Sequence, residues 1–332
     1  MSKTIIIAEA GANHNGSIKL AKKLIDIASM CGADYVKFQT FISDLVYSKN
    51  TPKAAYQRKN TPMDLTAIQV AKKLELTEKD HLSLVKYCKK KKIGYLTTFH
   101  DLESLKSYSK FRLDYIKIAS GDINNLPYLE EVSKIKKKII LSTGLSNILE
   151  IKKAIKILTK KKLKKKDLVV LHCNSAYPSP LKDINLNAIS TIKKKLGVSV
   201  GYSDHTQGYE VSLAATAMGA CVIEKHFTIN KNLSGPDHKA SLSPQELSKL
   251  VKYIRNIDIA KGSFEKKPSP SELKNKFVVR KSIVANKKIN KGEIFTRDNI
   301  FVKRPAAGKS PMKFNNILGK KSKKNYAVDD LI

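Results

Sequence analysis

The strongest constraint on how this 332-residue chain can fold is an alternation that occupies roughly its first 230 residues. Short runs rich in β-branched side chains recur there, each followed by a longer amphipathic stretch. The runs are TIIIA (Thr4–Ala8), DYVKF (Asp34–Phe38), IGYLTT (Ile93–Thr98), YIKIA (Tyr115–Ala119), KIILS (Lys138–Ser142), DLVVLH (Asp167–His172), VSVGY (Val198–Tyr202) and CVIEKHF (Cys221–Phe227). A period of two giving way to a period near 3.6 marks parallel strands joined by helical crossovers. Eight such units predict an α/β fold, a (β/α)8 TIM barrel, although an open doubly wound sheet reads similarly strand by strand.

The placement of polar residues favours the barrel. Glu9 follows the first run, and Lys37 and Gln39 close the second. Thr98 ends the third, Lys117 and Ser120 the fourth, Ser142 the fifth, His172 and Ser175 the sixth, Ser203 to His205 the seventh and His226 the eighth. Barrel enzymes keep their chemistry on this C-terminal rim, while the opposite rim serves stability. Any one of these residues has an ordinary role as a cap; the set argues for a site.

Past the barrel, SLSPQELSKLVKYIRNI (Ser241–Ile257) predicts a helix with Ser243 as N-cap and Glu246 completing a capping box. The stretch KGSFEKKPSPSELKNK (Lys261–Lys276) is polar and carries Pro268 and Pro270, so it reads as a linker. The expected organisation is a barrel over residues 1–262, a linker over 263–276 and a small terminal domain over 277–332 with short strands in VVRKSIVA and IFVKRP. So short a tail buries little core of its own.

Charge is lopsided: 63 Lys+Arg against 29 Asp+Glu, a formal +34. The excess is almost all Lys, in tracts such as Lys89–Lys92 and Lys160–Lys166. Nucleic-acid sites favour Arg and aromatic side chains among the charges, and here the Lys runs fall at predicted helix ends and turns. A solvated Lys-rich face is the simpler reading, with no nucleic-acid partner. Cys31, Cys88, Cys173 and Cys221 stand singly with no CxxC pair, which fits a reducing cytoplasm rather than a disulfide framework. No apolar run approaches the ~18 residues of a membrane span, so a soluble protein with no membrane partner is expected.

Two pairs carry the chemistry. In GYSDHT (Gly201–Thr206), Ser203 or Asp204 reads as the N-cap of the next helix, and His205 has no evident role until His226 is considered. The second histidine lies one helix and one strand later, so adjacent barrel strands bring both imidazoles to one rim. Two neutral imidazoles suit a borderline divalent cation such as Mn²⁺ or Zn²⁺ and leave positions for water and substrate oxygens, with Asp204 and Glu224 as orienting neighbours. Lys37 and Lys117 sit inside otherwise apolar strands, where an ammonium is costly unless it meets an anion. With Thr98, Ser120, Ser142 and Ser203 they predict a pocket for a small phosphorylated anion.

Several ordered motifs carry a resemblance. They are IAEAGANHNG (Ile7–Gly16), VKFQTF (Val36–Phe41), IKIASGDINNLPYL (Ile116–Leu129), ILSTG (Ile140–Gly144), LHCNSAYPSP (Leu171–Pro180), GYSDHT, VIEKHFT and GPDHKASL (Gly235–Leu242). The chain resembles the sialic acid synthase family, and FVKRPAAG (Phe301–Gly308) resembles the antifreeze-like (SAF, β-clip) domain that ends those enzymes, a small mostly-β unit. The resemblance implies a metal-dependent condensation of phosphoenolpyruvate with an N-acylated amino sugar, releasing phosphate. N-acetylmannosamine, giving N-acetylneuraminate, is the first expectation; the 2,4-diacetamido-2,4,6-trideoxymannose of legionaminate synthesis is the alternative. It further implies that His205 and His226 hold the metal, with Mn²⁺ expected and Mg²⁺ or Co²⁺ also compatible. Lys37, Thr98, Lys117, Ser120, Ser142, Ser175 and Ser203 would hold phosphoenolpyruvate. Glu9, Gln39, Tyr177 and Asp237 would lie around sugar and metal, and Asp122 stands at a proton-relay position. Arg304 would reach the N-acyl group from the other subunit of a domain-swapped homodimer. A different phosphoenolpyruvate-using barrel, such as a 3-deoxy-heptulosonate synthase, or a non-catalytic basic binding protein are the competing readings; the tail and NHNG disfavour the first and the intact rim set the second.

Overall fold

In the computed structural model, which describes residues 3–161 and 163–332, the eight runs form a closed parallel barrel in sequence order. Its strands are β1 (Ile5–Glu9), β2 (Tyr35–Thr40), β3 (Gly94–Phe99), β4 (Tyr115–Ile118), β5 (Lys138–Ser142), β6 (Leu168–Cys173), β7 (Ser199–Asp204) and β8 (Val222–His226). Closure comes from β1 pairing β8, with Glu9 opposite His226. Of the two Lys tracts, Lys162 in the second lies outside the described residues. Among the described residues no helix is long and apolar enough to cross a membrane.

Period-two alternation decides what fills the barrel. One set of side chains, including Ile6, Ala8, Val36, Phe38, Ile116 and Ile118, packs outward against the helices in the main core. The other set points inward, where Ile7, Leu96, Ile140, Leu171 and Val222 form a buried apolar plug. Two residues further along β1, β3, β5 and β8 the same inward face becomes Glu9, Thr98, Ser142 and Glu224. The polar layer therefore rests on an apolar floor, which is why ionisable groups in nearly apolar strands are buried yet share one space.

At the opposite rim a charged clasp ties β1 to the helix Pro244–Ala260. Asp34 accepts from the Ile6 N–H at 2.8 Å and from Arg255 Nη2 at 2.7 Å, and Asp258 accepts from the Thr4 N–H at 2.9 Å. Burial raises the Asp34 carboxyl, but Lys3, the Ile6 amide and Arg255 outweigh it and hold it below its usual range. A depressed folded-state pKa contributes stability that is complete above the unfolded value and is lost as pH falls through the folded one. Asp34→Asn is expected to cost about 1 kcal/mol at neutral pH, modest because solvent screens this rim. In urea unfolding, the difference from wild type should vanish as pH drops below the carboxylate range, and a difference that persists in acid would contradict the clasp.

The chain divides into two compact units, Met1–Gly262 and Ser263–Ile332. The expected helix after the barrel starts as read, with Ser243 accepting from the Glu246 N–H and Glu246 returning the bond. The stretch read as a linker differs. It contains the helix Pro270–Val279, opened by a capping box between Ser269 and Glu272 with Pro at its first turn. That start signal outweighs the proline content. Val278 and Val279 consequently end a helix instead of beginning a strand. Two antiparallel strands, β9 (Ser282–Ala285) and β10 (Ile300–Lys303), then pack with Ile289, Phe295, Ile317, Tyr326 and Ile332 in a separate small core.

Candidate active site

The inward polar residues enclose a cavity of about 180 Å³ at the C-terminal end of the barrel, lined by side chains from every strand or the turn that follows it. Lys37 Nζ lies 2.9 Å from Glu9 Oε2, 3.0 Å from Thr98 Oγ1 and 3.6 Å from Glu224 Oε2. Lys117 Nζ donates to Ser142 Oγ at 2.7 Å and stands 3.9 Å from Glu224 Oε1, which accepts from Ser203 Oγ at 2.9 Å. Ser120 and Ser175 meet at Gly144. A Cβ added there would overlap Ser175 Oγ and sit 3.0 Å from Ser120 Oγ, so glycine makes room for both hydroxyls.

Burial and mutual charge push the two carboxylates apart. Glu9 is raised to about 7, first by burial, against Lys37 and with help from Glu224. Burial would also raise Glu224, but Lys117 and Lys37 hold it down to about 2. Burial opposes protonation of Lys37, and the Glu224 and Glu9 carboxylates overcome it and raise its pKa. Lys117 is lowered by burial despite Glu224. With Glu224 ionised and Glu9 near its midpoint at neutral pH, two ammonium groups face less than two full negative charges. The cavity is short of anion and rich in hydroxyl donors, the composition that takes a phosphate or carboxylate.

The imidazoles meet at the edge of this cavity, with ring centroids 5.7 Å apart. The Asn174 carbonyl can only accept, so His205 Nδ1 carries the proton and Nε2 presents its lone pair, 3.3 Å from Ser203 Oγ. Burial lowers His205 to about 4, and burial with His205 and Lys37 drives His226 well down, so both rings are neutral at pH 7. His226 Nδ1 is buried with no hydrogen-bond partner among the described residues, 3.9 Å from Asp237 Oδ2. Among the described residues no three His, Cys, Asp or Glu side chains form a ready-made cage. Two neutral imidazoles, one with an orphaned buried nitrogen, nevertheless fit a divalent cation that takes its remaining ligands from water and substrate.

A second cavity of about 230 Å³ opens outward and is lined by Tyr47, Lys53, Tyr56, Val70, Leu74 and Asp237 among others. Gln39, His100, Tyr177 and His226 line both cavities and form the seam between them. Tyr177 packs at a tilt against His205, with ring centroids 4.1 Å apart, and against Tyr56 at 4.9 Å. Gly11, at φ +49°, permits the close packing of the seam: a Cβ there would lie 3.1 Å from His226 Cε1.

The barrel thus gathers Glu9, Lys37, Gln39, Thr98, Lys117, Ser120, Ser142, Ser175, Tyr177, Ser203, His205, His226 and Asp237 about one pair of joined cavities. Asp122 is not among the lining residues; it accepts from Asn125 at 3.2 Å and faces His100 Nδ1 at 3.8 Å. Arg304 lies exposed in the second unit. The helix-cap reading of Ser203 and Asp204 is corrected, because both lie in β7 and the next helix, Glu210–Ala217, has Tyr209 at its N-cap. Asp204 instead accepts from the N–H and hydroxyl of Thr206 in a tight turn. His100 escaped the sequence reading. Its only signal was a position two residues after Thr98, in phase with the inward face of β3. Burial, with Lys37 and Lys117, lowers it to about 4, so it too is neutral.

Comparison with known proteins agrees with this geometry. Residues 24–266 match the NeuB family model and residues 280–332 the SAF domain model. The N,N'-diacetyllegionaminic acid synthase of Campylobacter jejuni is 52% identical over 100% of this chain and 99% of its own length. Its counterpart in Legionella pneumophila is 41% identical over 97% and 91%. The crystal structure of N-acetylneuraminic acid (sialic acid) synthetase from Leptospira borgpetersenii superposes with a TM-score of 0.74 at 36% identity, covering 82% of this chain and 90% of that one. The barrel with its polar inner layer, the small terminal unit and these full-length matches together establish that the chain belongs to the NeuB family.

Proposed function

We propose that this protein is a nonulosonic acid synthase that joins C3 of phosphoenolpyruvate to the aldehyde carbon of an open-chain N-acylated amino sugar. The observation that carries the reading is the seam itself. A cavity suited to a small phosphorylated anion and a cavity roomy enough for a sugar meet at a seam that includes the neutral His226, with the neutral His205 ring 5.7 Å away on the inner side.

Lys37 and Lys117 hold the phosphate and carboxylate of phosphoenolpyruvate, assisted by Thr98, Ser120, Ser142, Ser175 and Ser203. His205 and His226 hold a divalent metal, for which Mn²⁺ is proposed with Mg²⁺ or Co²⁺ as alternatives; when bound it supplies Lewis-acid polarisation of the sugar aldehyde. Tyr177, Asp237 and Gln39 orient the sugar so that its aldehyde carbon faces C3. Glu9, poised near neutrality, moves the proton: the aldehyde oxygen gains one as the C–C bond forms, and the water that adds to C2 loses one. The C2–O bond then breaks and phosphate leaves with the proton of the C2 hydroxyl as the 2-keto group forms, so atoms and charge balance. Arg304 of a second copy is proposed to reach the acyl group, which makes a homodimer part of the reading, as cytoplasmic location is.

The 2,4-diacetamido sugar is the favoured acceptor, supported by the two synthase relatives at 52% and 41% identity. N-acetylmannosamine is the other candidate. Presenting both sugars with phosphoenolpyruvate and Mn²⁺ and weighing the products by mass spectrometry tests the proposal; absence of any keto-acid product from either sugar would end it. The phosphoenolpyruvate assignment has a separate check. Gly144→Ala should displace the Ser120 and Ser175 hydroxyls and raise KM for phosphoenolpyruvate by about tenfold, the equivalent of one good hydrogen bond. A rise confined to the sugar KM would contradict it.

A further inference from the structure

On the inward face of β7 and β8, Ser203 and Glu224 are direct cross-strand partners in the inner cavity. The next pair along, Asp204 and Lys225, is also in register but points outward, into the layer between barrel and helices. There Lys225 Nζ lies 3.1 Å from Asp204 Oδ2, with the two side chains 1% and 0% exposed. Each member of this ion pair immediately precedes one of the two imidazoles.

The pair is part of a closed network. Asp204 Oδ1 accepts from the Thr206 N–H at 2.8 Å and its hydroxyl at 2.7 Å, while Oδ2 accepts from Ser212 Oγ at 2.6 Å. Lys225 Nζ donates to the Thr206 carbonyl at 2.6 Å. One ammonium on β8 therefore grips the residues on both sides of His205, and by the same bond fixes the backbone that carries His226. A buried ion pair contributes little stability over apolar side chains of the same shape, so stability alone does not account for its placement. Two proposed ligands on separate strands, with no third side chain among the described residues to complete a cage, depend on their backbones for spacing.

Resting on the metal reading above, we infer that the Asp204–Lys225 pair is a positioning device that sets the separation of His205 and His226 from behind the barrel wall. Neither residue touches the metal or substrate.

The test compares full-length wild type, Lys225→Met and the double variant Asp204→Asn/Lys225→Met, reading Mn²⁺ affinity by titration calorimetry, Tm, and KM for phosphoenolpyruvate. The single variant strands a buried carboxylate and should lose Tm; the double variant, neutral at both positions and still able to accept from Thr206, should recover most of it. Both should bind Mn²⁺ about 10–100-fold more weakly, with KM for phosphoenolpyruvate within about twofold of wild type. A double variant with wild-type Mn²⁺ affinity would overturn the inference, and so would a KM for phosphoenolpyruvate that rises in step with the Mn²⁺ dissociation constant, since that signals general loosening of the rim. Should neither variant fold, Ser212→Ala removes one bond to Asp204 and should weaken Mn²⁺ several-fold; unchanged affinity there would be equally fatal. Wild-type protein that binds no divalent ion would instead bring down the metal reading on which the inference stands.

Discussion

His226→Ala is expected to lower kcat/KM by about 10³-fold and to leave whatever activity remains indifferent to added Mn²⁺. The ring is buried and neutral, and among the described residues Nδ1 has no partner, so its removal breaks no hydrogen bond seen there. What is lost is one of the two proposed protein ligands. Lewis-acid polarisation of a carbonyl contributes several kcal/mol to the transition state, and ~4 kcal/mol corresponds to the predicted factor. Binding of phosphoenolpyruvate should persist, because Lys37, Lys117 and the serine hydroxyls are untouched. Steady-state kinetics on metal-stripped and Mn²⁺-loaded protein reads both effects, and a variant within tenfold of wild type that still responds to Mn²⁺ would remove His226 from the ligand set.

The second large effect concerns Glu224, whose carboxylate lies between two buried ammonium groups. Glu224→Gln keeps the shape and the hydrogen bond from Ser203 but deletes the charge. Uncompensated buried charge costs about 3–5 kcal/mol, so Tm should fall by roughly 10 °C for a unit of this size. In the proposed binding mode, phosphoenolpyruvate brings negative charge to the same place. Saturating phosphoenolpyruvate should therefore raise Tm of the variant by more than it raises that of wild type, as measured by calorimetry. Equal shifts in the two proteins would mean that the ligand's anionic groups do not replace Glu224, and the placement of phosphoenolpyruvate between Lys37 and Lys117 would be wrong.

The barrel was legible because its period-two runs are regular, and closure was favoured by the polar residues gathered at the C-terminal ends of nearly all of them. The polar ends of the runs foretold the site, and the structure adds that Lys37, Thr98, Lys117, Ser142 and Ser203 are all in phase on the inward face of their strands. What the sequence hid has a physical cause in each case. His100 lies in a turn, where period-two phase carries over by only one step. Asp204 looked like a cap because Asp before a helical stretch usually is one, yet the strand runs through it and its carboxylate is spent on Thr206, Ser212 and Lys225. The helix Pro270–Val279 was masked by prolines that in fact start it. Glu224 was visible only as an orienter of the histidines; that it also balances two ammonium groups depends on distances across the barrel, which no local pattern encodes.

The most direct test of the account is to run the reaction with both candidate sugars in ¹⁸O-labelled water and analyse the released phosphate. Condensation at the seam predicts phosphate that appears only when sugar and metal are both present and carries no ¹⁸O, because water adds to C2 and the C2–O bond breaks. Labelled phosphate would mean that water attacks phosphorus, and phosphate released from phosphoenolpyruvate without sugar would mean simple hydrolysis; either would contradict carbon–carbon bond formation in these joined cavities.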